Sequence, residues 1–157
     1  MSFPTPHPGL VIRYSYLWRR EFEAGRDEGS KDRPCTVIMA LINEDGEQDV
    51  LVLPITHSPP ANPDDAVEIP AVTKQRLQLD FDRSWIVLSE ANRFLWPGPD
   101  LRPVPNSTDR SIVYGVLPPR FFTMVRDRYL VLDRQRKVAL VPRTDQALAS
   151  SLVSLCV

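Results

Sequence analysis

Arg33-Pro34-Cys35-Thr36-Val37-Ile38-Met39-Ala40-Leu41 and Val50-Leu51-Val52-Leu53-Pro54-Ile55-Thr56-His57-Ser58 are two apolar runs of strand length and composition. Asn43-Glu44-Asp45-Gly46-Glu47 between them is turn material, so the runs read as the arms of a hairpin. In an antiparallel pair the start of one arm lies beside the end of the other, which places Arg33 and Thr56 at the same edge of the sheet. A guanidinium and a hydroxyl at one sheet edge can hold a phosphate.

Composition bounds what surrounds this hairpin. The chain has 157 residues, 43% hydrophobic and 25% charged, the make-up of one globular domain with a single core. Its net charge of −1 carries no overall basicity, so any nucleic-acid contact has to come from a local patch. Two cysteines, Cys35 and Cys156, form neither a disulfide framework nor a CxxC metal site and suit a reducing compartment. The leading Met-Ser-Phe-Pro-Thr-Pro-His-Pro-Gly lacks a basic and an apolar region of the export type, and no apolar run approaches membrane-spanning length. The expectation is a cytoplasmic protein with no membrane contact. No His, Cys and carboxylate cluster has the spacing of a metal site, and no cofactor is implied.

Sixteen prolines against six glycines cut the chain into short pieces, favouring short strands joined by turns. Residues 9–18 read as a first strand, followed by a long charged loop over 19–32 that holds Arg19, Arg20, Arg26 and Lys31 directly before Arg33. A loop of this length is a solvated connector or a phosphate-gripping lid. After the hairpin, 66–69 reads as a short strand, 70–77 as a short helix opened by Pro70, and 84–89 as a buried strand. Glu90 and Arg93 then fall just past a strand end. Residues 112–117 read as a strand, 120 to about 137 as an amphipathic helix behind Pro118-Pro119, 138–141 as a closing strand and 146–155 as a small C-terminal helix. The fold class is mainly β (α+β): a small, partly open antiparallel barrel with a C-terminal helix.

Taken singly, the candidate residues have ordinary explanations. An arginine at a loop-to-strand junction is by default solvated or paired with a loop acid, and a strand-end threonine is commonly a local hydrogen-bonder. Glu90 serves equally as a surface acid or as a proton acceptor. His57 follows Thr56 directly, and strand alternation sends its side chain to the opposite face. Arg33 and Thr56 at one edge beneath a basic loop nevertheless make a phosphate-binding edge.

The Arg-Pro-plus-apolar strand, the apolar strand ending Pro-Ile-Thr-x-Ser, the preceding Gly-x-Val-type strand and the polar loop together resemble the PemK/MazF toxins of type II toxin–antitoxin modules. The resemblance covers about residues 9–96, leaving the helical part over about 118–157 beyond it. It implies a homodimeric SH3-like barrel of the CcdB/MazF kind that cleaves single-stranded RNA without metal and is held inactive by an antitoxin. Arg33 would neutralise the pentacovalent phosphorane as the 2′-hydroxyl attacks, and Thr56 would hydrogen-bond a non-bridging oxygen. Glu90 would accept the 2′-hydroxyl proton or fix Arg33. Arg19, Arg20, Arg26, Lys31, Ser58 and Arg93 would contact RNA, with Trp18, Phe22 or Trp96 stacking on bases. The family tends to carry an Asp-Gln-x-Arg-like element where this chain has Glu90-Ala91-Asn92-Arg93, so the glutamine is missing. Acids in the loop, among them Glu21, Glu23, Asp27, Glu28 and Asp32, weaken a purely electrostatic grip on RNA. The alternatives from other classes are a catalytically silent SH3-like binding module and a gyrase-directed toxin on the same barrel.

Overall fold

The hairpin of the opening motif forms the centre of the molecule. In the computed structural model, which describes residues 3–143, β1 (Leu10–Tyr14), β2 (Arg33–Ile42) and β3 (Gln48–Thr56) form an antiparallel meander. Asn43 closes the β2–β3 turn, its side chain accepting from the Asp45 and Glu47 amides at 2.9 and 3.0 Å. β3 is long enough to serve two further partners. Its first half pairs with β6 (Glu90–Trp96), and its last two residues pair with β5 (Trp85–Val87). β4 (Ala66–Glu68) flanks β5, and β7 (Val113–Val116) flanks β1. β8 (Ala139–Pro142) runs parallel to β6, while the other pairings are antiparallel. Among the described residues, three α-helices, α1 (Arg19–Glu23), α2 (Ala71–Arg76) and α3 (Pro119–Arg134), complete a mainly β architecture of eight strands.

Both faces of the central sheet are covered, which is why β2 and β3 read as nearly continuous apolar runs. On one face Val11, Ile38, Leu53 and Ile55 pack with Val125, Tyr129 and Leu132 of α3. On the other, Ile12, Tyr14, Cys35, Val37, Val50 and Val52 pack with Tyr16, Trp18 and Phe94. The period-2 alternation along each strand assigns its residues to these two clusters. Cys35 is fully buried, and burial pushes its thiol well above the ordinary range, so it is an inert packing residue.

Several sequence expectations need correcting. The first ladder stops at Tyr14, where Arg33 is the last partner; Ser15 to Trp18 continue outside any strand. Residues 19–32 are not wholly loop, because the first five form α1. The Glu21 carboxylate accepts from the Trp18 amide at 3.1 Å and satisfies a donor that a helix start would leave orphaned. Glu90 and Arg93 lie inside β6, not past a strand end. The chain breaks at Ser89 and re-enters the sheet on the free side of β3. α3 ends at Arg134, before the expected 137, with Arg136 in the left-handed region at φ 57°. The C-terminal helix read over 146–155 and Cys156 lie outside the described residues. No helix among the described residues is long and apolar enough to cross a membrane.

Two buried polar side chains anchor the segment after β1. Asn92 acts as a substitute strand: its Oδ1 accepts from the Leu17 amide at 2.9 Å and its Nδ2 donates to the Leu17 carbonyl at 2.7 Å. Arg143 donates to the Ser15 carbonyl, to Asn92 Oδ1 at 3.2 Å and to the Asp27 carbonyl at 3.3 Å, and pairs with Asp100 at 3.3 Å. Together they fix the path that delivers Trp18 and the loop before β2.

Candidate functional site

Arg33 opens β2 at the mouth of a cleft of about 1120 Å³. Pro34 restricts Arg33 to extended backbone and so starts the strand at that residue. The side chain is only 9% exposed. Its Nη1 donates to the Ile55 carbonyl at 3.3 Å, and its guanidinium carbon stands 4.9 Å from the Trp18 ring centroid. Its Nε is buried with no partner. Burial is the chief influence on this group and lowers its pKa from the ordinary arginine value, with Arg20 adding repulsion and Glu21 opposing it. Arg20 lies over the same indole at 5.1 Å. Two guanidiniums on one ring, one of them with an unused buried N–H, form a site that an anion would stabilise.

Thr56 is where the hairpin geometry places it. Cys35 pairs with Pro54, and extending that register by two residues sets Arg33 opposite Thr56. The Thr56 Oγ1 accepts from the Ser58 amide at 3.2 Å, which leaves its O–H to be donated into the cleft. Arg20, Lys31, Arg33, Thr56 and Ser58 all line this one cleft.

The other candidates lie elsewhere. Glu90 sits behind Tyr16, its Oε1 accepting from the Tyr16 hydroxyl at 3.1 Å and the Arg19 amide at 2.9 Å, outside the lining. Burial raises its carboxyl above the ordinary value against the opposing effect of these hydrogen bonds. Arg93 is held by Asp49 across the β3–β6 pair, with Nε to Oδ1 at 2.9 Å. Arg26 pairs with Glu21 at 3.2 Å and Arg19 with Glu23 at 3.4 Å, and neither Arg19 nor Arg26 lines the cleft. Arg19 and Phe22 border a different groove beside β8. Trp18 is no exposed platform for bases: at 8% exposure it is the floor under the arginines. Trp96 is half-buried, and its Nε1 donates to the Pro4 carbonyl at 3.0 Å.

His57 is the residue the alternation argument misplaces. β3 ends at Thr56 and the chain bends there, so His57 lines the same cleft as Thr56. Its Nδ1 lies 3.0 Å from the Arg83 carbonyl and 3.2 Å from Ser84 Oγ, and its Nε2 lies 2.8 Å from Asp80 Oδ2. Asp80 is held in turn by the buried Lys74, whose Nζ is 2.6 Å from Oδ1 and also donates to the Asp82 carbonyl. His57, Asp80 and Asp82 bring three potential metal-ligating atoms within 4.8 Å of one another. The Lys74 ammonium already takes an oxygen of Asp80 there, so this group is an organised ion-pair network with its own cation. Its partners come from 23 to 27 residues later in the chain, and only the type of residue at 57 signals it from the sequence.

No known family, curated protein or solved structure matches this chain.

Proposed function

We propose that the chain is a metal-independent endoribonuclease of the PemK/MazF type acting on single-stranded RNA. On this reading its antiparallel sheet is a partly open SH3-like barrel, its active form is a homodimer, and an antitoxin protein holds it in check. The observation that carries the proposal is Arg33: a buried guanidinium with an unpartnered Nε, opposite Thr56 at the edge of an open cleft. A buried cation with a spare N–H favours an anion that brings its own acceptor oxygens, as a phosphodiester does.

In the proposed reaction the ribose 2′-hydroxyl attacks its own phosphate, leaving a 2′,3′-cyclic phosphate and a 5′-hydroxyl. Charge builds on the non-bridging oxygens in the phosphorane, and Arg33 donates to it from a site already desolvated. Thr56 donates its hydroxyl to a second oxygen. A donor preorganised in this way is commonly worth about 10²–10³ in rate. Arg20 and Lys31, on the same cleft, meet the flanking phosphates, and Ser58 orients Thr56 through its amide. Because the net charge is −1, this patch carries the attraction for RNA without help from the rest of the surface.

The test is incubation of the purified protein with a long single-stranded RNA in EDTA, with mapping of 5′-hydroxyl ends. Site-specific cleavage by the wild type, reduced about 10²–10³-fold in Arg33→Ala and Thr56→Ala, supports the assignment. Absence of cleavage by folded wild-type protein refutes it and leaves a binding module or a gyrase-directed toxin.

A further inference from the structure

The carboxylates on the cleft are already engaged. Asp32 pairs with Arg102 at 3.7 Å, Asp80 with Lys74 at 2.6 Å, and Asp109 accepts from the Ser107 hydroxyl at 2.6 Å. Among the described residues, no carboxylate pairs with Arg13, Arg20, Lys31 or Arg33 on the same cleft. Arg20 and Arg33 share the Trp18 indole and Lys31 lies two residues before Arg33, whereas Arg13 comes from a different strand.

Arg13 lies on β1 directly opposite Pro34 of β2, so alternation turns its side chain to the face opposite Arg33. Both guanidiniums nevertheless line one cleft, which therefore runs round the end of the β1–β2 ladder. The Arg13 amide donates to the Ile112 carbonyl at 2.9 Å and its carbonyl accepts from the Arg102 amide at 3.0 Å, which fixes its backbone. Tyr114 meets it from β7. There Gly115 opposes Val11 and Val113 opposes Ile12, so Tyr114 is the extra residue of a β-bulge. A bulge re-aims the side chain it carries. The Tyr114 hydroxyl accepts from Arg13 Nη1 at 3.0 Å, and its ring packs against the core cluster beneath α3.

We propose that Arg13 and Tyr114 form a second phosphate subsite, which takes a non-scissile phosphodiester of the RNA strand whose scissile phosphate lies on Arg33. The subsite rests on the ribonuclease reading above and extends it. With the phenol oxygen already accepting from Arg13, the pair offers its ligand the Tyr114 O–H and the remaining Arg13 N–H groups, which are all donors. The matching ligand supplies acceptors and a negative charge, as a phosphodiester does. Arg13 is half-buried, so its charge is less screened by salt than that of a surface arginine. A flexible single strand can follow the turn of the cleft from Arg33 to Arg13 and lay successive phosphates on the two sites.

The probe is a 2′-O-methyl RNA oligonucleotide containing the mapped cleavage site, which binds without being cleaved, made with one methylphosphonate at each linkage in turn. A methylphosphonate removes the charge and one oxygen of a single phosphate. We expect one linkage other than the scissile one at which the wild type loses about 10–100-fold in affinity. Arg13→Met should bind the unmodified strand about that much more weakly and lose little more at this linkage. Tyr114→Phe, which removes only the hydroxyl, should show the same pattern with a smaller loss, whereas Arg33→Ala should keep the penalty at this linkage. The slope of log K against log salt should fall by about 0.7 in Arg13→Met, the amount for one phosphate contact on a single strand. Methylphosphonate penalties that are the same in Arg13→Met and Tyr114→Phe as in wild type, or folded variants that bind as wild type does, overturn the subsite while cleavage by the wild type keeps the nuclease reading in place. A wild-type protein that does not cleave RNA overturns the nuclease reading and the subsite with it.

Discussion

Arg33 stands with its guanidinium carbon 4.9 Å from the ring centroid of Trp18, and Arg20 stacks on the same indole at 5.1 Å. The indole thus replaces part of the hydration that Arg33 loses at 9% exposure, and it fixes where the unpartnered Nε lies. A desolvated cation–π contact contributes about 2 kcal/mol, and truncating a buried Trp costs about 3–5 kcal/mol in total. Trp18→Ala is therefore expected to destabilise by about 3–5 kcal/mol in urea unfolding. Trp18→Phe should keep most of that stability but cleave more slowly, since its weaker π face holds Arg33 less firmly.

Gly29 makes a different contribution to the same site. A Cβ placed there would lie 2.1 Å from the Tyr16 carbonyl oxygen and 2.8 Å from its carbon, so the loop packs directly on the backbone that leads to Trp18. Gly29→Ala is expected to cost about 1–3 kcal/mol, the usual range for overpacking. It should also weaken RNA binding by shifting Lys31. Thermal unfolding and an RNA titration read the two effects separately.

Arg143 holds three chain segments at once, reaching Ser15, Asp27 and Asp100 from the end of β8 at 1% exposure. Removing one member of a buried ion pair costs about 3–5 kcal/mol. Arg143→Met, which fills the space without the charge, should lose about that much in denaturant unfolding and release residues 15–27 to hydrogen exchange.

Glu90 offers a pH-dependent test. Burial raises its carboxyl in the folded protein, so folding favours the protonated form. The sign follows: its contribution to stability is fully present below the unfolded value of about 4.3 and declines as pH rises through the folded value. Glu90→Gln removes that decline. The variant's stability relative to wild type should increase between about pH 4 and pH 7, measured by urea midpoints across the range. A flat difference would mean that the carboxylate is well solvated where it stands.

The hairpin, its turn and the placement of Arg33 opposite Thr56 were readable because each follows from local rules: period-2 alternation, turn residues and antiparallel register. The two-faced burial of β2 and β3 was readable for the same reason, from their unbroken apolar runs. What could not be read was which charged residues reach the cleft. Arg93 is withdrawn by Asp49, 44 positions away in sequence and adjacent only through the β3–β6 pairing. Arg26 is withdrawn by Glu21 only because α1 forms. His57 enters the cleft because the strand ends one residue earlier than alternation assumes and because Arg83 and Asp80 receive its ring. Strand ends and long-range ion pairs are settled by tertiary packing, and local pattern carries little of either.

The most direct measurement is the 15N-resolved spectrum of the arginine Nε–H groups, with Arg33 assigned by its loss in Arg33→Lys, as a 2′-O-methyl RNA oligonucleotide is added. This substrate cannot cleave, so binding is seen alone. If Arg33 Nε is the phosphate donor, its resonance should shift downfield and become protected from exchange as the oligonucleotide saturates. An Arg33 resonance that stays in place while RNA binds, or a protein that does not bind RNA, would contradict the assignment of this edge as the phosphate site.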